Sequence, residues 1–440
     1  MNSESAHGYR PCIIIPGIGQ SRVIETDENG EKLRNLWPFD PDIDALVKSV
    51  APSAARMMLL RRDCGFTAAL DKAVRAMLEP LSCTPDSMRK VRAEVVGYYR
   101  PVGECTAGEK RYIYKMVPLN ALADIIGEEN LYFFAYDIFG RADENARLLR
   151  EFIAMVKEQR QCEKVDLIPV SMGATVAEMY FELYGADQNV KRVIGVAPAY
   201  DGSDIAADLV AGDINIEDCD ALLEMLLSRR EAEKISKLMH MMPNKVTDGA
   251  VRALVRAACE SVVVNSSAMW GIIPSERYPA LRDKYLGDSA HDSMRAVTDR
   301  HWRVRRNIKE LVRREQERSV EFYNICGCGK RLVPIAASDS LTSDTIVPTY
   351  SASMGAQCAP PGRTLSSGRG EPVDFISPCS DINAASAAVP DRTWFYYNME
   401  HEQAAENKNL LDLVAKIASS DEPIDVFTMP EHPQFADYKE

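Results

Sequence analysis

No run of 18 or more apolar residues occurs in this 440-residue chain, and its start, "MNSESAHGYRPC", lacks a basic segment followed by an apolar one. Neither a membrane-spanning helix nor a secretory leader is therefore expected, and the expected location is the cytoplasm. An excess of positive charge is also missing: 52 Lys and Arg stand against 65 Asp and Glu, a net charge of -13. That balance opposes general attraction to nucleic acid, so no nucleic-acid partner is expected, and partners must be argued from individual sites. The 11 cysteines show no zinc-type or redox-type pairing, and the closest two, Cys326 and Cys328 in "CGCG", stand too near each other for a finger. Free thiols and no metal site are the expectation. The best glycine-rich loop, "PGIGQS", has neither dinucleotide spacing nor a Gly-Lys-Ser end, so no cofactor is expected either.

What the chain does contain is a strong alternation of buried strands and amphipathic helices. With 46% hydrophobic and 27% charged residues it can bury a large core, divided into two or three structural units. "PCIIIPGIG" is apolar at every position from Cys12 to Ile15 and stops at Pro16 and Gly17, the pattern of a strand covered on both faces. "RAEVVGYYR" at 92–100 and "LYFFAYD" at 131–137 read as further strands. Residues 142–159 place Ala146, Leu149, Phe152, Ile153 and Val156 on one helical stripe and lead directly into "KVDLIPV". A helix from Ser171 to Gly185 and the strand "VKRVIGVAP" continue the series, which predicts an α/β fold with a mostly parallel sheet.

From about 200 to 318 the character turns helical, in "DALLEMLLSRREAEKISKLMHMM" and "GAVRALVRAACESVVV", before the strand "VEFYNIC". The expected organisation is a core of residues 1–199 and 319–440 interrupted by a helical cap over 200–318. Loops fill 336–390, and "TWFYYN" with "NLLDLVAKIA" supplies a last strand and helix.

Acyl transfer through a serine needs an exposed nucleophile, a base, an acid that orients the base, and amide donors for an oxyanion. Ser171, in "KVDLIPVSMG", lies between a predicted strand and a predicted helix, where a sharp turn can present a hydroxyl; a helix N-cap is the alternative there. Pro169 stands where such turns usually carry glycine. Of six histidines, three fall in the helical insertion; His401 follows the strand "TWFYYN", and His432 is expected to be exposed in a polar tail. Asp344 is the preferred acid, with Asp339 as the alternative, because both follow "RLVPIAA" and Asp344 precedes the apolar "TIVP". The oxyanion amides would be those of Met172 and Ile18.

Seven stretches share an order and context: "IIIPGIGQS", "LYFFAYDIFGRADENARLLREFI", "VDLIPVSMGATVAEMYF", "VKRVIGVAPAYDGSDIAADLVAGD", "WGIIPSERYP", "SDTIVPTYSAS" and "WFYYNMEHEQAAENKNLLDLV". Over about residues 11 to 418 the chain resembles the lecithin:cholesterol acyltransferase-like α/β hydrolases, which include lysosomal-type phospholipases. The resemblance implies an α/β-hydrolase fold with an inserted helical cap or lid. It matches Ser171, Asp344 and His401 to that family's triad, and Ile18 and Met172 to its oxyanion donors. It also implies a lipid or other acyl ester as the partner and an acyl-enzyme resolved by water or an alcohol. The family serine usually follows Gly-His and precedes Met-Gly-Gly; here the letters are Pro169, Val170, Met172, Gly173 and Ala174.

Trp37 in "NLWPFD" and Trp270 in "MWGIIP" are candidates for lining an acyl channel or touching lipid from the lid. Residues Arg295 to Arg318 carry nine Arg or Lys and four Asp or Glu, a local charge of about +5 that makes the cap a candidate for transient membrane-surface contact. Two other classes remain open: a hydrolase-fold binding or scaffold protein without catalysis, and an esterase or thioesterase acting on small molecules. Nothing in the sequence specifies an oligomeric state.

Overall fold

A strand with no polar position has no side to show to water, and Cys12–Ile15 (β1) is accordingly buried on both faces. The structure, a computed structural model, describes residues 9–118, 120–215, 236, 242, 244–333, 337–338, 340–365 and 375–438. Around β1 run Leu131–Phe133 (β2), Val165–Pro169 (β3), Val190–Val196 (β4), Glu321–Cys328 (β5), Thr393–Tyr397 (β6) and Phe435–Asp437 (β7). They form one seven-stranded sheet in the order β7-β6-β5-β4-β3-β1-β2, and every neighbouring pair is parallel. This is an α/β fold.

Alternation within the strands divides the core into two layers. Ile13 and Ile15 join helices Ala142–Arg160, Gly173–Tyr184, Asp292–Arg306 and Ile308–Glu317 on one face, through Leu149, Ala177, Val304 and Leu311. Cys12 and Ile14 face helices Ala107–Met116, Asn120–Ile126 and Lys408–Ser419, through Ile113, Leu122 and Leu411. Parallel strands need such crossovers, and each helix presents the apolar stripe its layer requires.

Two expectations are corrected. Within "RAEVVGYYR" only Ala93–Val95 is a strand, and it belongs to a separate antiparallel sheet with Val23–Thr26 and Lys32–Trp37. Branched and aromatic letters signal a pleated surface but do not say which sheet it joins. His432 is buried, not exposed: its Nε2 lies 3.1 Å from Asp412 Oδ2, and its carbonyl accepts the Trp394 indole N–H at 2.9 Å. The reason is β7, which returns the chain to the sheet edge beside β6, although "QFADY" lacks an apolar run.

Between β4 and β5, helices Asp204–Ala211, Asn244–Ala258 and Tyr278–Tyr285 share an apolar cluster with two N-terminal helices, Ile43–Leu60 and Phe66–Leu78, through Val251, Val255, Tyr278, Met57 and Phe66. The predicted helix at 220–242 lies outside the described residues apart from Ser236 and Met242. No described helix is long and apolar enough to cross a membrane.

Candidate active site

The turn after β3 explains how a proline precedes the serine. Along β3, the amides of Asp166 and Val170 donate toward β1, to Pro11 and Ile15 carbonyls at 3.0 and 2.9 Å. The amides of Val165 and Ser171 donate the other way, to Asn189 and Val196 carbonyls at 3.0 and 3.2 Å. Pro169 shares the phase of Val165 and Ser171, so its missing N–H falls on the β4 side, where pairing lapses between Leu167 and the Val170–Val196 bridge. Its other side stays in register with Ile15. Proline therefore occupies a gap in the ladder and leaves the turn itself free.

Ser171 has a φ of 51°, the left-handed region that few non-glycine residues adopt. Helix Gly173–Tyr184 starts two residues later, directly against β1: a Cβ on Gly173 would lie 2.1 Å from the Ile15 carbonyl oxygen. A second close approach comes from the loop after β1, where a Cβ on Gly17 would lie 2.9 Å from Ser171 Cβ and 3.4 Å from Oγ. These two glycines, and not a residue at 169, allow strand, loop and helix to converge on the serine.

His401 and Asp344 arrive on loops after β6 and β5. His401 Nε2 lies 2.8 Å from Ser171 Oγ, and its Nδ1 lies 2.7 Å from Asp344 Oδ2. The His401 amide also donates to the Asp344 carbonyl at 2.8 Å, tying the two loops together. Asp344 is fully buried, and its Oδ1 accepts the amides of Ile346 and Val347 at 3.0 and 2.7 Å. Both carboxylate oxygens are thus held, one by backbone and one by the imidazole. Burial alone would lower the His401 pKa, but the charge and hydrogen bond of Asp344 more than offset it and hold the imidazole above its ordinary value. Asp339 lies outside the described residues.

Several supporting residues carried no functional signal in the sequence. Gly327, the middle of "CGCG", is where Asp344 seats: a Cβ there would lie 2.5 Å from Asp344 Cβ. The glycine in that motif serves the site, while Cys326 and Cys328 are buried free thiols. Gln20 accepts the Gly17 amide and donates to the Met116 carbonyl, both at 2.5 Å, and the Tyr136 hydroxyl donates to the Pro16 carbonyl at 2.9 Å. The loop carrying Ile18 is pinned at both ends by these bonds. Among the described residues, the backbone amides of Ile18 and Met172 have no protein acceptor.

The two tryptophans separate. Trp37 donates from Nε1 to the Gly19 carbonyl at 2.7 Å and stands edge-on to Phe139, so it covers the same loop. Trp270 is fully buried, bonded to the Val264 carbonyl at 3.0 Å and edge-on to Tyr278, in the apolar cluster between helices. The basic stretch packs on helix Gly173–Tyr184. Two of its outer charges are paired, Arg313 with Glu310 and Glu317 and Arg318 with Glu315, whereas Arg306 and Lys309 are exposed and Arg305 is buried.

A parallel sheet whose third strand ends in a left-handed serine, with an acid and a histidine on later post-strand loops, has the architecture of the α/β-hydrolase fold. No family model matches the chain, and no curated protein matches it. Among solved structures, one described as "The crystal structure of Tle4-Tli4 complex" aligns with 94% of this chain and 99% of its own at 11% identity and a TM-score of 0.40. A likeness that distant carries no argument about this protein, and the fold rests on the strand order and the site geometry.

Proposed function

We propose that the protein is a serine hydrolase that takes acyl groups from lipid esters onto Ser171 and passes them to water or an alcohol, as a relative of the lecithin:cholesterol acyltransferase-like enzymes. The observation that carries this reading is the unbroken hydrogen-bonded line from Ser171 Oγ through His401 to Asp344, beginning at a strained turn. With its Nδ1 proton donated to Asp344, His401 accepts the Ser171 proton at Nε2 as Oγ attacks the ester carbonyl. The amides of Ile18 and Met172 receive the developing oxyanion. His401 then protonates the departing alcohol, and later takes a proton from water or an acceptor alcohol as that molecule attacks the acyl-enzyme.

An apolar substrate is supported by the N-terminal region beside the oxyanion loop. Leu36, Phe39, Leu46, Ala73 and Met77 line a cavity of about 570 Å³ together with the polar Arg34, Asn35, Asp40, Asp42 and Ser49, and the Ser171, His401 and Asp344 side chains do not belong to its lining. Leu33, Val47, Leu59 and Leu60 on the same ribbon and helix are exposed apolar side chains, which favours contact of this region with lipid. The scaffold alternative would leave Ser171 turned away from His401, and the 2.8 Å contact weighs against it.

The test is labelling with a fluorophosphonate probe, with the modified peptide located by mass spectrometry. The expected result is modification at Ser171 that disappears in His401→Ala while that variant stays folded. Folded wild-type protein that leaves Ser171 unmodified would refute the mechanism. Rates on nitrophenyl esters of increasing chain length then separate a lipid substrate from a small ester, the lipid reading requiring a steep rise with length.

A further inference from the structure

The chain leaves β4 through residues 197–203 and enters helix Asp204–Ala211, and this short connection touches three separate parts of the molecule. On one side it meets the Ser171 turn, where the Ala199 amide donates to the Ser171 carbonyl at 3.0 Å. On another it is pressed against residues 272–275. The Ser203 amide donates to the Ile272 carbonyl at 2.9 Å, and the Ser275 amide and hydroxyl donate to the Asp201 carboxylate at 2.8 and 3.0 Å. Gly202, at a φ of 67°, comes so close that a Cβ there would lie 2.2 Å from the Ile272 carbonyl oxygen.

The third contact is with the turn that carries Asp344. The buried Ser203 hydroxyl donates to the Ile346 carbonyl at 2.5 Å, and that carbonyl receives no other hydrogen bond among the described residues. Two neighbours fix the spacing of the two chains. Ser351 Oγ accepts the Asp201 amide at 2.9 Å and donates to the Gly202 carbonyl at 2.8 Å, and the Tyr350 hydroxyl donates to Asp204 Oδ2 at 3.0 Å.

Ile346 thus faces two ways: its amide donates to Asp344 Oδ1 at 3.0 Å, while its carbonyl is held by Ser203. The residue between Asp344 and Ile346 is Thr345, whose φ of 84° is a conformation in which a β-branched side chain is strained. Such a turn persists only where its surroundings hold it. Ser343 Oγ accepts the Thr345 amide at 3.0 Å, the Val333 amide donates to the Thr345 carbonyl at 2.9 Å, and Ser203 supplies the hold on the next peptide.

We propose that Ser203 is a positioning residue, whose hydroxyl fixes the Ile346 peptide so that the Asp344 carboxylate keeps its line to His401. Its bearing on acyl transfer rests on the function proposed above; its hold on Asp344 does not. Without the hydroxyl the Ile346 carbonyl loses its partner, the strained turn relaxes, and the amide that holds Oδ1 moves with it. Oδ2 then no longer meets His401 Nδ1 at a fixed distance. Burial lowers the His401 pKa, and the charge and hydrogen bond of Asp344 together with the charge of Glu402 raise it. Of these, only the Asp344 contribution depends on Ser203.

The test follows the imidazole itself. Full-length protein carrying isotope-labelled histidine is titrated by NMR, and His401 is assigned as the one of six histidine signals lost in His401→Gln. The wild-type midpoint should lie above 6.5. Ser203→Ala should lower it by about 0.5 or more. Ser203→Thr, which keeps the hydroxyl on a residue whose extended φ of -138° suits a branched side chain, should restore it. Ser275→Ala loosens the same connection from its other side without touching Ile346, and should leave the midpoint at the wild-type value. Where Ser203→Ala does not fold, Ser203→Cys, a far weaker donor, takes its place under the same expectations. A folded Ser203→Ala protein with the wild-type midpoint, or a fall in Ser275→Ala as large as in Ser203→Ala, overturns the proposal. Fluorophosphonate labelling of the wild type at Ser171 is read separately: its absence would refute acyl transfer, while the histidine midpoints still decide the role of Ser203.

Discussion

Replacing Gly173 with alanine isolates the packing that forms the Ser171 turn. The added methyl would sit 2.1 Å from the Ile15 carbonyl oxygen, 2.9 Å from its carbon and 3.0 Å from the Pro16 carbonyl oxygen. Ordinary contact begins at 3.4 Å, so helix Gly173–Tyr184 and β1 must part by more than an ångström, and no flexible side chain is present to yield. Overpacking of this kind costs about 1–3 kcal/mol. Because Ser171 and Met172 lie between that helix and β3, the shift passes into the hydroxyl and the adjoining amide. A displacement of about 1 Å from productive geometry costs on the order of 10²-fold in rate. Urea denaturation reads the first quantity, and the second-order rate of fluorophosphonate labelling, measured on folded protein, reads the second. Gly17→Ala provides a graded control: its methyl would meet Ser171 Cβ at 2.9 Å, a smaller intrusion, so it should cost less stability while still slowing labelling. Gly173→Ala protein with wild-type stability and labelling within about threefold of wild type would refute the close-approach reasoning.

Four further outcomes follow from the same geometry. Asp344→Asn should retain the fold but lower the rate on a chromogenic ester by about 10³- to 10⁴-fold, because the imidazole loses its orienting acceptor; a loss below tenfold would remove Asp344 from the mechanism. His401 must be neutral to accept a proton, and burial, which lowers its pKa, is outweighed by Asp344, so labelling should rise with pH through a midpoint above the ordinary 6.5; a midpoint at or below 6.5 contradicts that balance. The stability effect has the opposite sign: because the folded pKa is raised, the charged pair contributes fully below pH 6.5 and its contribution fades as pH climbs through the folded value, which denaturation at several pH values would follow. Pro169→Gly should lose about 1 kcal/mol through added unfolded-state entropy and leave labelling near wild type, since the proline fills a ladder gap; a large gain in labelling would mean that it obstructs the turn.

The parts of the fold that were legible are those in which every neighbouring residue serves the same burial. Cys12–Ile15 and Glu321–Cys328 are covered on both faces, so they stand out as continuous runs, and the stripe of Ala146, Leu149, Phe152, Ile153 and Val156 is read directly as a helix face. Phe435–Asp437 was not legible, because an edge strand completes a sheet with backbone bonds and needs no apolar run. The pairing of Val23–Thr26 with both Lys32–Trp37 and Ala93–Val95 was hidden for a related reason: strand propensity names a conformation, not a partner. At the site, residue type and position after a strand singled out Ser171, Asp344 and His401, but Gly17, Gly327 and Gln20 act by proximity, which one sequence does not display.

Composition and hydrophobic period, both local properties of neighbouring residues, were enough to determine a parallel α/β core and a serine at the end of one of its strands. Only the tertiary structure brought His401 to a serine 230 residues away in sequence and seated Asp344 against Gly327. It alone turned Pro169 from an apparent obstruction into the occupant of an unpaired ladder position, and buried Arg305 inside a stretch that reads as a solvated basic helix. The physical reason is common to all of these: hydrogen bonding, steric fit and desolvation act between groups the fold makes adjacent, and such adjacency is not a property of any local window of sequence.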